Sequence, residues 1–118
     1  MIAAEDTRRT QVLLGEIGAR QAELVALHTH NEQRATRRIV GALQSGMDVA
    51  LVSDAGTPLL SDPGFDLVRS CWRAEVPVVP IPGASAVLAA LSVCPLPTGR
   101  FHFEGFLPAK SAQRRARL

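Results

Sequence analysis

Residues 52–64 have the sequence VSDAGTPLLSDPG, and this stretch decides the fold. The mostly apolar run 48–52 before it is typical of a buried strand, and residues 65–72 after it are typical of a helix. In an open α/β sheet, ligands bind at the loops that leave the carboxyl ends of the strands. A plain connection would be shorter than this loop and poorer in hydroxyls and carboxylates. The stretch therefore predicts a ligand-binding loop that follows one strand of a parallel sheet.

Strands and helices alternate on both sides of this loop. Strands are predicted at 2–4, 24–28, 48–53 and 76–81, and helices at 7–17, 32–44, 63–72 and 86–93. Asp62 is expected to be the N-cap of the third helix, with Pro63 at its first position. Residues 100–106 alternate with period two and predict a half-buried strand, and a basic helix begins at Lys110. The pattern predicts an α/β fold, a parallel sheet with flanking helices.

The composition limits the class of protein. The 118 residues, 47% of them apolar, fit one small domain with a real core. No apolar run has the length of a membrane span, and the start lacks the features of a secretory signal, so a cytoplasmic protein is expected. Cys71 and Cys94 are expected to be reduced, mostly buried thiols. Both ends look cut, since the first residues are the tail of a strand, which predicts a fragment or a chain completed by a partner.

Polar residues cluster directly after each predicted strand, where a parallel sheet brings them to one edge. They are Glu5, Asp6, Thr7 and Arg8; His28, Thr29, His30 and Asn31; Ser53, Asp54, Gly56, Thr57, Ser61 and Asp62; and Gly83 and Ser85. Glu5 and Asp6 could supply a base and a group that orients it, but acidic residues at a helix start are the favoured interpretation. Gly83 and Ser85 could bind a ligand, or be a turn and an N-cap; both interpretations stay open.

The histidines and the basic residues are two further patterns that could indicate a binding site. His28 and His30 point to opposite sides of a strand and have no third partner at regular spacing, so no metal site is expected. The formal net charge is +2, and the basic residues form three groups. These groups are Arg8–Arg9; Arg34, Arg37 and Arg38; and Lys110, Arg114, Arg115 and Arg117. Each group suits a phosphate backbone, although a solvated helix face is the simpler interpretation.

Five segments, in this order, resemble the tetrapyrrole methylase (class III methyltransferase) superfamily. They are 4–8 (AEDTR), 53–58 (SDAGTP), 61–64 (SDPG), 82–86 (PGASA) and 103–108 (FEGFLP). The resemblance is closest to the branch that modifies ribosomal RNA. It implies methyl transfer from S-adenosylmethionine to the 2′-hydroxyl of a cytidine in small-subunit ribosomal RNA.

The resemblance also implies a domain plan. The family has two α/β domains with the cofactor between them. Residues 1–98 would be the N-terminal domain without its first strand and loop, and residues 99–118 the start of a truncated second domain. Family members often form dimers, which makes a homodimer possible here.

The site residues follow from the same resemblance. The implied cofactor-binding residues are Asp54, Ala55, Gly56, Thr57, Pro58, Gly83, Ala84 and Ser85. Asp6 would orient or deprotonate the ribose hydroxyl, and Arg8, Arg34 and Arg37 would contact RNA phosphates. Two alternatives remain: a methylase of tetrapyrrole rings, and a catalytically silent fragment that binds RNA or protein.

Overall fold

The computed structural model describes residues 1–19 and 21–118, which form an α/β fold. The strands are β1 (Ile2–Ala4), β2 (Leu24–Ala26) and β3 (Ala50–Val52). The helices are α1 (Thr7–Glu16), α2 (Glu32–Gln44), α3 (Phe65–Arg73), α4 (Ala86–Ser92) and α5 (Ser111–Arg117). The three strands form one parallel sheet in the order β2-β1-β3. The predicted parallel sheet with flanking helices is confirmed.

The chain divides into two compact units, Met1–Ala84 and Ser85–Leu118. The first unit holds the sheet and α1 to α3, and the second holds α4 and α5. Within the second unit, Glu104 is paired with both His102 and Arg117. These contacts lower the pKa of the Glu104 carboxyl, and the hydrogen bond with His102 is the larger cause. The expected domain boundary between residues 98 and 99 stays a prediction.

The strand register brings the candidate loops to one edge of the sheet. Ala4 of β1 lies opposite Ala26 of β2 on one side and opposite Val52 of β3 on the other. All three strands run in the same direction, so the segments that follow them leave from the same edge. Because β1 is central, the residues after Ala4 lie between those after Ala26 and Val52.

The core lies between the sheet and the helices α2 and α3. Its buried members are Ala3, Val25, Leu27, Ala35, Ile39, Leu67 and Cys71. The buried positions recur at i and i+4 on both helices, as a core-facing helix stripe requires. Leu27 and Ile39 are fully buried, and each contributes about 1.5–3 kcal/mol relative to an exposed side chain. This packing fixes where α2 and α3 begin relative to the sheet edge.

The start of α3 differs from the prediction. Its N-cap is Gly64, with φ of 124°, and neither Asp62 nor Pro63 lies in the helix. The carboxylate of Glu32 instead accepts the backbone N–H groups of Gly64 and Asp66, each at 2.9 Å. Because these helix-start donors are satisfied from α2, the cap that Asp62 would provide is not needed.

Two predicted strands are absent from the part of the chain that the structure describes. Residues 76–81 and 100–106 have no regular structure. Pro77 and Pro80 lack the N–H that a sheet ladder needs, and the alternation in 100–106 finds no paired neighbour. The expectation that both thiols are mostly buried is half wrong, because Cys71 is buried and Cys94 is exposed. Burial raises the pKa of the Cys71 thiol.

The remaining helix starts agree with the sequence. Asp6 is the N-cap of α1, and its side chain accepts the N–H of Arg8. Ser85 is the N-cap of α4, and its side chain accepts the N–H of Leu88. Among the described residues, no helix combines the length and the apolar character needed to cross a membrane.

Candidate functional site

Charged residues that follow β1 and β3 meet at the sheet edge and bond to one another. The backbone N–H of Asp6 donates to Asp54 Oδ1 at 3.2 Å, and that of Asp54 donates to Glu5 Oε2 at 3.4 Å. Arg9 Nη1 lies 3.4 Å from Asp54 Oδ2. Glu5, Asp6, Arg8, Arg9 and Asp54 are called the paired edge below. Reciprocal bonds of this kind tie the segment after β1 to the loop after β3.

Within the paired edge, the carboxylate of Asp6 is held by Arg8. Arg8 donates to it three times: from its backbone N at 2.9 Å, from Nε at 3.0 Å and from Nη2 at 2.7 Å. The side-chain bonds from Arg8, followed by its backbone bond, lower the pKa of Asp6 to about 2. Asp6 is therefore a carboxylate at any physiological pH, with weak affinity for a proton.

The loop 53–64 has an unusual backbone. Gly56 has φ of 79°, and no atom lies within 4 Å of the position that a Cβ would take there. Leu59 and Ser61 are not glycines, yet their φ angles are 74° and 66°. Such conformations cost of order 1–3 kcal/mol each and persist where surrounding contacts enforce them, most often at functional sites. The loop is thus held in a defined shape, with the backbone around Gly56 left accessible.

A second group of predicted residues lies at the start of α2. Thr29, His30, Asn31, Glu32, Gln33, Arg34, Arg37 and Asp66 line an open depression of about 460 Å³. Its two acids are already engaged: Glu32 with the start of α3, and Asp66 with Arg69 Nη2 at 2.9 Å. Among the residues that the structure describes, Arg34 and Arg37 have no acidic partner. We call this the basic depression.

The predicted residues are therefore divided between three places. Asp6, Arg8 and Asp54 lie in the paired edge, and Ala55, Gly56, Thr57 and Pro58 follow it in the loop. Arg34 and Arg37 lie in the basic depression, whereas Arg8 is paired with Asp6. Gly83 and Ala84 end the first unit and Ser85 begins the second. What Gly83, Ala84 and Ser85 bind stays a prediction.

The expectation that His28 and His30 point to opposite sides of a strand is wrong, because β2 ends at Ala26 and the two rings are neighbours. Their ring centroids are 6.1 Å apart at an interplanar angle of 61°. The N–H of His28 donates to Asn31 Oδ1 at 2.9 Å, and Asn31 Nδ2 donates to the carbonyl of Ala26 at 3.0 Å. Asn31 thus closes the turn between β2 and α2. Within the described part of the chain, no group of three metal-binding side chains occurs.

Sequence reasoning missed Glu32 and Arg9 as residues that organise this edge. An acidic residue in the first turn of a helix is already explained by the helix dipole, so Glu32 gave no further signal. Its partners are 32 and 34 positions away, and only the packing of α2 on α3 brings them together. Arg9 was counted in a basic group, but its contact with Asp54 also depends on the fold.

Comparison with known proteins supports one family along the whole chain. The family model of the Tetrapyrrole (Corrin/Porphyrin) Methylases matches residues 1–118. The chain is 58% identical over 118 residues to a Ribosomal RNA small subunit methyltransferase I of Xylella fastidiosa (strain Temecula1), and 55% identical to the protein of that name from Escherichia coli O157:H7. It covers 43% and 41% of those proteins, so it spans about two-fifths of these curated relatives. The chain belongs to the tetrapyrrole (corrin/porphyrin) methylase family.

Proposed function

We propose that this chain is part of an S-adenosylmethionine-dependent enzyme that methylates the 2′-hydroxyl of a cytidine in small-subunit ribosomal RNA. The observation that carries the proposal is identity of 50–58% along the whole chain to proteins named as small-subunit ribosomal RNA methyltransferases. The fixed sheet edge, with an accessible loop on one side and a basic depression on the other, supports the same assignment.

The loop after β3 fits a cofactor that is bound mainly by backbone groups. Around Gly56 the backbone is exposed and free of side-chain crowding, so its N–H and C=O groups can meet a ligand closely. In this proposal Ala55, Gly56, Thr57 and Pro58 line the cofactor, and Asp54 holds them through Asp6 and Arg9. S-adenosylmethionine, when bound, supplies an electrophilic methyl group. Gly83, Ala84 and Ser85 are proposed as further cofactor contacts.

Asp6 is proposed to orient the ribose hydroxyl. A carboxylate whose pKa is about 2 accepts a hydrogen bond readily but is a poor general base at neutral pH. Holding the hydroxyl oxygen in line with a methyl donor lowers the barrier through proximity and alignment. Arg8, fixed by Asp6, is proposed to contact a neighbouring phosphate with its exposed guanidinium.

The basic depression is proposed to hold the phosphate backbone of the RNA. Arg34 and Arg37 are three residues apart on α2 and so lie on one face of the helix. Because the nearby acids are engaged elsewhere, the guanidinium N–H groups of these arginines form no ion pair within the described residues and are available to a ligand. Phosphate oxygens are the ligands that such a pair of arginines suits best.

The proposal is tested with a hybrid protein. Residues 1–118 replace the matching 41% of the Escherichia coli relative, which supplies the remaining length. S-adenosylhomocysteine is titrated calorimetrically into the hybrid, the relative and the 118-residue chain. Methyl transfer from labelled S-adenosylmethionine to small ribosomal subunits that lack the modification is measured in parallel, with nucleoside analysis of the product.

We expect the hybrid to bind S-adenosylhomocysteine and to form 2′-O-methylcytidine. A hybrid with Asp6→Asn should bind the cofactor product normally but transfer methyl groups at least tenfold more slowly. No binding by a folded hybrid would refute the methyltransferase proposal. Binding with methyl transfer to a tetrapyrrole instead of RNA would favour the ring-methylase alternative.

A further inference from the structure

Glu32 is the first residue of α2, yet its side chain serves a different element. Its Oε1 accepts the backbone N–H of Gly64 and of Asp66, both at 2.9 Å, and both contacts are partly buried. Gly64 is the N-cap of α3, and Asp66 lies in the first turn of that helix. A single carboxylate oxygen therefore caps α3 from outside and fixes the point where the loop 53–64 ends.

The loop has little freedom at that point. A Cβ on Gly64 would lie 2.8 Å from Leu51 Cδ2 and 3.2 Å from Leu59 Cδ1, so the backbone is pressed against β3 and against the loop itself. Leu59 and Ser61, just before this point, have positive φ angles. A backbone in sparsely populated conformations relaxes when its attachment is lost. The bonds from Glu32 hold the far end of the loop, as Asp54 holds the near end.

The position of Glu32 also places it between two parts of the site. It lines the basic depression with Arg34 and Arg37, which follow it on the same helix. A displacement of the start of α2 is therefore passed to Gly64 through the two hydrogen bonds. No other side chain within the described residues bonds to the N–H of Gly64 or Asp66.

We propose that Glu32 is a positioning residue that holds the cofactor loop 53–64 in its binding shape and links it to the basic depression. This inference rests on the proposed function, because it assumes that the loop binds S-adenosylmethionine. Glu32 would not contact the cofactor itself, because its carboxylate is engaged with Gly64 and Asp66. Its effect would reach the cofactor through Gly64 and the strained segment 59–61.

The test uses the hybrid protein and five variants, three at Glu32 and two controls. Glu32→Ala removes the acceptor, Glu32→Asp keeps the charge but shortens the reach, and Glu32→Gln keeps an oxygen acceptor without the charge. Glu23→Ala is the matched control, since Glu23 is an exposed carboxylate bonded to Arg38 Nη2 at 2.7 Å. The Tm of each variant is measured first. The dissociation constant of S-adenosylhomocysteine, KM and kcat are then measured at a temperature where every variant is folded.

We expect Glu32→Ala and Glu32→Asp to weaken S-adenosylhomocysteine binding about tenfold, because only a fraction of molecules keeps the competent loop. Glu32→Gln should recover most of the affinity, and Glu23→Ala should bind as the parent does. RNA present at saturation should reduce the loss, since a ligand in the basic depression steadies the start of α2.

A second control separates positioning from stability. Cys71→Ala removes a buried side chain on the core face of α3 and lowers Tm without touching the loop. Unchanged binding in Glu32→Ala and Glu32→Asp would overturn the inference, as would an equal loss of binding in Cys71→Ala. Should Glu32→Ala fail to fold, Glu32→Asp decides. If the parent hybrid itself does not bind, the proposed function fails instead.

Discussion

The paired edge and the basic depression use the same residue types in opposite ways. In the paired edge, Arg8 and Arg9 are bonded to Asp6 and Asp54, and the charges fix the backbone of two segments. In the basic depression, the acids are bonded to α3 or to Arg69, and Arg34 and Arg37 are left without acidic partners within the described residues. The ion pairs of the paired edge hold two segments together, and of its residues the exposed Arg8 is also proposed to meet RNA; Arg34 and Arg37 are free of ion pairs within the described residues and available to a ligand.

This difference shows that charge content alone does not identify a binding surface. Each basic group in the sequence suited both a phosphate contact and a solvated helix face. The basic groups differ in whether the carboxylates near them are bonded to their arginines or to other groups. In the basic depression, Glu32 is turned toward backbone N–H groups and Asp66 toward Arg69, so neither carboxylate pairs with Arg34 or Arg37.

The largest effect is expected from a change in the loop 53–64, which runs from the paired edge to the start of α3. Gly64→Ala should lower the free energy of unfolding by about 3 kcal/mol, because φ of 124° strains any side chain and its Cβ would press on Leu51. Gly56→Ala is the control, because Gly56 also has a positive φ but open space where a Cβ would lie. This substitution should lower the free energy of unfolding by only about 1 kcal/mol. Chemical denaturation of the 118-residue chain measures both. Equal losses would show that the loop is not packed as described.

The next largest effect is expected in the basic depression. In the hybrid, Arg34→Ala with Arg37→Ala should weaken RNA binding about tenfold and reduce the slope of log K against log salt by about 0.7 for each lost phosphate contact. Arg38→Ala is the control on the same helix, because Arg38 is already paired with Glu23. An unchanged slope in the double variant would mean that these arginines do not meet phosphates.

A smaller effect is expected at the paired edge. Asp54→Ala removes the acceptor for the N–H of Asp6 and the partner of Arg9, and should cost about 1 kcal/mol of stability. Asp62→Ala in the same loop should be nearly neutral, since Asp62 is not the cap of α3. Urea unfolding compares the two. A larger loss at Asp62 would restore the capping role predicted from the sequence.

The smallest effect is a change in acid titration. The folded pKa of Asp6, about 2, lies below its ordinary value of 3.8, so the Asp6–Arg8 contact stabilises the fold fully above pH 3.8. That contribution is lost as the pH falls toward about 2. Arg8→Ala should move the Asp6 pKa back up, and Arg9→Ala should move it much less. Carboxyl carbon NMR during a pH titration reports this directly; an Asp6 pKa unchanged by Arg8→Ala would contradict the assigned cause.

Local chemistry made much of this fold predictable. The N-caps Asp6 and Ser85 are recognisable because a short polar side chain precedes a helical pattern and binds N–H groups two or three residues later. The spacing of the apolar runs predicts a parallel sheet. A parallel sheet in turn predicts that the segments after β1, β2 and β3 lie at the same edge. The place of Asp6 beside Asp54 is a consequence of that topology.

Other features depend on contacts that local patterns do not encode. Asp62 and Pro63 look like a helix start, but the cap comes from Glu32 on another helix. Residues 76–81 have strand-forming residues, yet their prolines remove the donors that pairing requires, and nothing pairs with them in the part of the chain described. Gly83, Ala84 and Ser85 lie where one unit ends and the next begins, and their proposed contacts with a cofactor come from the family resemblance.

The central place of β1 in the sheet has a consequence for how the protein is made. β1 is synthesised before both of its partner strands, and β3 follows it about fifty residues later, roughly 2 to 10 s at ordinary rates of translation. During that interval β3 cannot yet pair with β1, and the loop 53–64 has not yet been made. The sheet edge can therefore close only after β3 leaves the ribosome, which makes β1 a strand that a nascent-chain chaperone would be expected to shield.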